Sequence, residues 1–307
     1  MHITYTAIDE ENLKVCQSLW NEQYSKTYPI SDRLFIQNSP FPALCKQSSS
    51  FAFNEHGEMV GFILVKVQNN NCYIHLLFVK KAFRNKGIGT ALLKKAENDF
   101  SQFPIFVGTD MYNYFPGIPL EWNDVHEWFE KRGYTKDEPV FDMKNEYSPT
   151  EPSLSIQSPY TIQFASLEDK EPFLSFLQQH FGSRWHDEAV DYFQAGGTGK
   201  EFSLLKDKGN IIGFVRHNQL DSPLIGSNLN WAPLFHTPHV GGIGPLGIDP
   251  AYRKQGLGEV IVNAAIVALQ KSGITTMLID WTHLVDFYQK FGYDVWKSYI
   301  PYKKINE

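Results

Sequence analysis

Several features are missing from this chain of 307 residues, and each absence excludes a class. No apolar run approaches the roughly 20 residues that a membrane span needs. Met1-His2-Ile3-Thr4 opens no basic-then-apolar leader, so a cytoplasmic protein with no membrane partner is expected. Positive charge is in deficit, 28 Lys+Arg against 34 Asp+Glu for a net charge of -6, which excludes a general attraction to nucleic acid. Any anion must be held locally. Cysteine is scarce: Cys16, Cys45 and Cys72 are odd in number and form no C-x-x-C pair, so neither a disulfide framework nor a zinc knuckle is indicated. His236-Thr237-Pro238-His239 has metal-like spacing, yet it encloses a proline and has no carboxylate close by, and no metal is expected. A G-x-S-x-G nucleophile elbow is lacking too. Aromatics, at 15%, are plentiful, and rigid apolar bodies with polar edges suit both cores and ligand pockets.

The length suits about two domains, and the chain repeats itself. Ala82-Phe83-Arg84-Asn85-Lys86-Gly87-Ile88-Gly89 returns as Ala251-Tyr252-Arg253-Lys254-Gln255-Gly256-Leu257-Gly258. Farther on, Glu121-Trp122 and Trp128-Phe129-Glu130-Lys131-Arg132-Gly133-Tyr134 return as Asp280-Trp281 and Phe287-Tyr288-Gln289-Lys290-Phe291-Gly292-Tyr293. Met59-Val60-Gly61-Phe62 is echoed by Ile211-Ile212-Gly213-Phe214. Between the halves, residues 147–158 are rich in proline and serine and read as a linker. The expected domains are therefore 1–146 and 159–307.

Each half reads as a short strand, a helix with an acidic first turn, and a hairpin whose turn is His56-Gly57 or Lys208-Gly209. A strand running into the glycine-rich loop follows, then a helix, another strand and a last helix ending in Gly-Tyr. The expected fold class is α+β: two tandem domains, each a mixed, mainly antiparallel sheet flanked by helices. The halves differ in their loops, the second having a long stretch at 218–240 and the first at 112–119, and long loops are where ligand contacts are built.

Arg-x-x-Gly-x-Gly between a strand and a helix is a phosphate cradle. Glycines let the backbone approach closely, the orphan N–H groups of the helix converge on an anion, and the arginine adds charge. A glycine-containing helix start needs no ligand, but two copies in matching contexts favour one. Neither is a P-loop or a G-x-G-x-x-G dinucleotide fingerprint.

Both halves resemble the GNAT superfamily of acyl-coenzyme A-dependent N-acetyltransferases, whose R/Q-x-x-G-x-G/A loop and later F-Y-x-K-x-G-F/Y helix match the segments 246–258 and 287–293. The resemblance implies acetyl-coenzyme A as acyl donor. Its pyrophosphate would lie on Arg253, Lys254, Gln255, Gly256, Leu257 and Gly258, and its pantetheine along Leu246, Gly247 and Ile248. The matching residues of the first half are Val79, Arg84, Asn85, Lys86, Gly87, Ile88 and Gly89. By match to the family helix Tyr288 is the acid that protonates the departing thiolate. No carboxylate lies on the strand before the loop, leaving Asp280, His283, His239 or water to deprotonate the amine; Asp280 is chosen because splayed central strands would point it at the thioester. Phe129 stands where the second half has Tyr288, so the C-terminal half is expected to be catalytic and the N-terminal half a degenerate copy.

The acceptor is expected to be a small-molecule amine, met by Asn228, Asn230, Trp231, His236 and Trp281, because aromatic faces beside amides suit a polyhydroxylated ligand. The tandem organisation and Phe115-Pro116-Gly117-Ile118-Pro119 resemble a bacterial tandem GNAT group, which implies glucosamine or a glucosaminide; a small polyamine, aminoglycoside or peptide amine fits nearly as well. The alternatives are a protein lysine acetyltransferase and a non-catalytic acetyl-coenzyme A sensor.

Overall fold

The computed structural model describes residues 2–148 and 160–305, so most of the expected linker lies outside the described residues. Two compact units divide the chain, Met1–Phe141 with Lys297–Glu307, and Asp142–Trp296.

Unit 1 runs β1 (Thr4–Ala7), α1 (Glu10–Tyr24), α2 (Asp32–Asn38), β2 (Ser50–Phe53), β3 (Met59–Gln68), β4 (Asn71–Val79), α3 (Ile88–Asp99), β5 (Ile105–Val107), β6 (Ile118–Pro119), α4 (Asn123–Glu130) and β7 (Thr135–Lys136), with β8 (Val140–Glu146) leading out of it. Asp9 caps α1, accepting from the Asn12 N–H at 2.7 Å, and Ser31 caps α2 through Leu34 at 3.2 Å. β3 is buried on both faces over most of its length, which is why Met59-Val60-Gly61-Phe62-Ile63-Leu64-Val65 reads as an apolar run rather than an alternation. It turns into β4 through Asn69 and Asn70, both at positive φ, as a tight hairpin requires.

Unit 2 repeats the plan with β9 (Thr161–Phe164), α5 (Lys170–Phe181), α6 (Ser183–Gln194), β10 (Phe202–Asp207), β11 (Asn210–Gln219), β12 (Val240–Ile248), α7 (Leu257–Lys271), β13 (Thr276–Thr282), α8 (Val285–Gln289) and β14 (Asp294–Ile300); β15 (Tyr302–Lys304) follows. The echo of Gly61 in Gly213 is structural. Gly61 pairs with Val79 and Gly213 with Ile248, each at the residue where the next strand enters its glycine-rich loop.

The compact units are not the two sequence halves. In unit 1 the strand order is β1-β2-β3-β4-β5-β15-β7, so the place between β5 and β7 is filled by Tyr302–Lys304 from the far end of the chain. In unit 2, β8 lies between β14 and β13. The boundaries expected at 146 and 159 therefore shift: residues 142–146 pair into the second sheet, and 297–307 belong to the first unit. Backbone hydrogen bonding, which no side-chain pattern reports, decides this. No helix among the described residues is long and apolar enough to cross a membrane.

Candidate functional site

In both units the central parallel strands pair briefly and then part. β12 is in register with β13 only from Val240↔Thr276 to Gly242↔Leu278, although it continues to Ile248 and β13 to Thr282. β4 and β5 pair only from Cys72↔Ile105 to Ile74↔Val107. Beyond these points each pair leaves strand edges without ladder partners, a slot lined by backbone donors and acceptors.

The slot of unit 2 leads through Leu246, Gly247 and Ile248 to the loop. Lys254 (φ 63°) and Gly256 (φ 77°) are both left-handed, and α7 begins at Leu257 with no side chain capping it. The first loop is its copy: Asn85 (φ 59°) and Gly87 (φ 82°) precede an uncapped α3. Left-handed residues alternating ahead of an uncapped helix aim consecutive N–H groups at one point, an anion nest. Nothing lies within 4 Å of where a Cβ on Gly87 or Gly256 would stand, so the space over the nest is open. The arginines brace the turn: Arg253 Nε donates to the Ile248 carbonyl and Arg84 Nε to that of Val79, each at 3.0 Å. Lys254, Gln255 and Lys86 are exposed beside the nests, while Ile88 and Leu257 anchor them in the cores. The arrangement fits a pyrophosphate followed by a slender chain along the slot.

Tyr288 lies on α8, next to Phe287, whose ring is 3.4 Å from the Cβ position of Gly258, so the tyrosine sits beside the loop. It is buried, and burial followed by the nearby Asp280 charge raises its hydroxyl pKa well above the ordinary value. The Phe129 correspondence is exact in the hydrogen bonding. Tyr134 N–H donates to the Phe129 carbonyl at 3.2 Å, as Tyr293 does to Tyr288 at 3.3 Å.

Asp280, two residues before the end of β13, accepts from Ser227 Oγ at 2.5 Å; burial raises its carboxyl pKa, with Ser227 and Arg184 opposing. Trp281 follows at φ 46°, a conformation a bulky residue seldom adopts. Its N–H donates to Asp142 Oδ1 at 3.2 Å, and the Arg184 guanidinium lies 4.6 Å over its ring. Asn228 is buried with its amide 3.4 Å from the Gly244 carbonyl. The structure thus brings Asp280, Trp281, Asn228 and Tyr288 to one end of the slot.

The rest of the expected acceptor set is not there. Trp231 is 2% exposed, and a ring so withdrawn offers no face for a sugar; the loop packs it inward instead. Asn230 is buried near it, and His236 stands exposed at the end of the turn Ala232–Phe235. His239 precedes β12 and bonds to the Gly273 carbonyl at 3.0 Å, seven residues and about 23 Å of strand from Leu246. Arg184 and Glu188 on α6, joined at 3.0 Å, carry no motif and were invisible to sequence reasoning.

Unit 1 has a cavity of about 530 Å³ over its own slot, reaching from Arg84, Gly87 and Gly89 along Ile74–Val79 to Phe129, and walled by Trp20, Tyr24, Phe115 and Trp122. Behind it runs a buried polar chain. His75, the extra residue of a bulge in β4, bonds through Nδ1 to Asp110 at 2.8 Å and through Nε2 to Ser39 at 3.0 Å, while Lys66 pairs with the same Asp110 oxygen at 2.9 Å. The His75 side chain is wholly enclosed, so it supports this cavity's wall without facing a ligand.

The profile of the acetyltransferase (GNAT) family matches residues 13–114 and 167–293. Among solved structures, a region described as a GCN5-related glucosamine N-acetyltransferase in a fungal multi-domain GH3 beta-N-acetylglucosaminidase aligns with TM-score 0.86 at 23% identity, over 99% of this chain and 38% of that one. The chain therefore spans well under half of that protein. A GCN5-related N-acetyltransferase from Sphaerobacter thermophilus aligns with TM-score 0.71 at 15% identity, over 98% and 95% of the two chains. A tandem GNAT protein from the clavulanic acid biosynthesis pathway aligns with TM-score 0.68 at 12% identity, over 100% and 99%. At these identities the likeness is one of fold. Among curated proteins none matches the sequence significantly.

Proposed function

The chain belongs to the acetyltransferase (GNAT) family, and from that membership we propose that unit 2 moves an acetyl group from acetyl-coenzyme A to the primary amine of a small molecule of the glucosamine type. The observation that carries this is the convergence of an open anion nest, a slot between parted strands, and Asp280 and Tyr288 at the slot's inner end. Bound acetyl-coenzyme A would supply the acyl group as a thioester, so that one C–N bond forms and one C–S bond breaks. The nest amides and the exposed Lys254 would hold its pyrophosphate, and the edge of β12 its pantetheine.

The chain's own groups then manage protons. The acceptor arrives as an ammonium and leaves as an amide, losing two protons. Asp280 takes the first and releases it to solvent; its raised pKa brings it nearer to a general base's working range. Tyr288 supplies a proton to the departing sulfur and is replenished by the second. Its raised pKa keeps the hydroxyl protonated until that moment. Unit 1 keeps the nest and slot but has Phe129 in place of the hydroxyl, which supports a half that binds the thioester without turning it over. An amino sugar is also the acceptor named for the fungal relative.

Following free thiol as the protein is mixed with acetyl-coenzyme A and glucosamine tests the reading. Thiol release that depends on the amine is expected. Binding of acetyl-coenzyme A without turnover of any small amine would overturn it in favour of a sensor.

A further inference from the structure

Unit 2 carries a segment that unit 1 does without. β3 turns straight into β4 through Asn69 and Asn70, whereas β11 and β12 are joined by residues 220–239, and the helical turn Ser227–Leu229 in that connection packs on β11, β12 and β13. Glycines let it come so close. A Cβ on Gly242 would collide with Asn228 Oδ1, and one on Gly226 would meet the Asn218 amide at 2.5 Å. Asn218 and Asn228 both donate to the Gly244 carbonyl, at 2.7 and 3.4 Å, which pins the turn to β12. The turn delivers Ser227 to Asp280. Its Oγ donates to Oδ2 at 2.5 Å, the length of a hydroxyl bonded to a charged carboxylate.

The carboxylate itself is well covered. Besides Ser227, the Asn228 side chain and the N–H of Asp280 bond to it, and the Arg184 charge faces it from α6. Glu188 on α6, which faces Arg184 and Arg216, and Tyr288 on α8 are the other ionisable groups that feel it. Ser227 is half-buried, whereas Asn228 and Leu229 of the same turn are buried. A hydroxyl has one proton to give and two lone pairs; that of Ser227 gives its proton to Asp280 and accepts from nothing among the described residues. Resting on unit 2 as the transferring half, we propose that Ser227 is a further catalytic residue: its Oγ meets the acceptor ammonium and relays the proton to Asp280. Covered on its other sides, the carboxylate takes a proton through the donor it already holds. One N–H bond of the ammonium and the O–H bond of Ser227 break together, and a new O–H forms on each oxygen. A neutral amine, a serine and a carboxylic acid result. The reverse shift, with water as receiver, resets the pair. The unit that has the tyrosine is also the unit that has this serine, and unit 1 has neither the turn nor the hydroxyl at Phe129.

Steady-state kinetics of the whole chain with glucosamine, taken across pH, test the relay. Ser227→Ala should lower kcat/KM for the amine about 100-fold below neutral pH, the lower end of what proton-transfer assistance contributes, because water fills part of the gap. KM for acetyl-coenzyme A should not move. In alkaline buffer the amine arrives neutral and needs no relay, so the deficit should shrink towards unity; a distorted fold would cost the same at every pH. Ser227→Thr, which keeps the hydroxyl, should recover most of the loss. In an Asp280→Asn background Ser227→Ala should cost nothing further, since the relay ends there. Thermal unfolding checks each variant, with Ser227→Gly in reserve should the alanine form not fold. Turnover untouched by Ser227→Ala, or a deficit that does not change with pH, would overturn the relay alone. A wild type that acetylates no amine at any pH would sink the transfer reaction and the relay with it.

Discussion

Phe129 and Tyr288 occupy the same place in two copies of one helix end and differ by a single oxygen atom. General-acid assistance is typically worth about 10² to 10⁴ in rate, so Tyr288→Phe should lower kcat by that order while calorimetry finds coenzyme A affinity unchanged. The raised pKa of Asp280 sets an acid limb: kcat/KM should fall as pH drops through a value above the ordinary carboxylate range, and Asp280→Asn should remove that limb. His217 acts on stability. Buried, with neither ring nitrogen hydrogen-bonded among the described residues and Arg216 adjacent, it has its pKa lowered to about 4. Between that value and about 6.5 the unfolded chain binds a proton that the native state refuses, so stability falls by roughly 1.4 kcal/mol per pH unit as acid is added. His217→Gln should flatten the dependence of Tm on pH across that window. Among these residues Phe129, Tyr288 and Asp280 were legible in the sequence, the first two from the repeated helix motif and the third from its place late in a strand. Glu188 has no motif because an i, i+4 pair with Arg184 looks like any solvated helix face, and Trp231 was misjudged because burial of a loop aromatic depends on packing.

The glycine-rich loops were the most legible elements, since their conformation follows from local backbone demands. Gly256→Val adds a Cβ over open space at positive φ; the fold should persist with about 1–2 kcal/mol of strain while turnover disappears. Gly87→Val should remove one equivalent of coenzyme A from a calorimetric titration and leave turnover intact, and the opposite result would exchange the roles of the units. The bulge in β4 was not legible. It depends on Lys66, Asp110 and His75, which are far apart in the sequence and look like ordinary polar positions there. The Lys66 and Asp110 charges are buried together, and the His75 and Lys66 contacts hold the Asp110 carboxyl well below its usual range against desolvation. Asp110→Ala strands the Lys66 charge and should cost about 3–5 kcal/mol in denaturant unfolding, more than a surface pair could. Helix α2 and the strands after each last helix also escaped the sequence reading, being short, and so did the amphipathic helix α6.

At the scale of the whole molecule the duplication is visible in the sequence, and the exchange of closing strands is not. The first sheet takes β15 from the opposite half, between β5 and β7, and the second takes β8, between β13 and β14, with β6 beside β14 at its edge. Residues 1–146 or 159–307 expressed alone should therefore show no cooperative unfolding transition by circular dichroism, and the two fragments mixed should regain one. Independent folding of either fragment would show that its sheet closes without the exchanged strand. The same pairing sets a timetable on the ribosome. The contacts of Tyr302–Lys304 with Ile105–Val107 and Thr135–Lys136 cannot form until nearly the whole described chain has been translated. At about 5–20 residues per second, the first sheet waits roughly ten seconds or more with two strand edges uncovered. A nascent chain in that interval is a substrate for chaperones, and loss of Tyr302–Lys304 would harm the half of the chain made first.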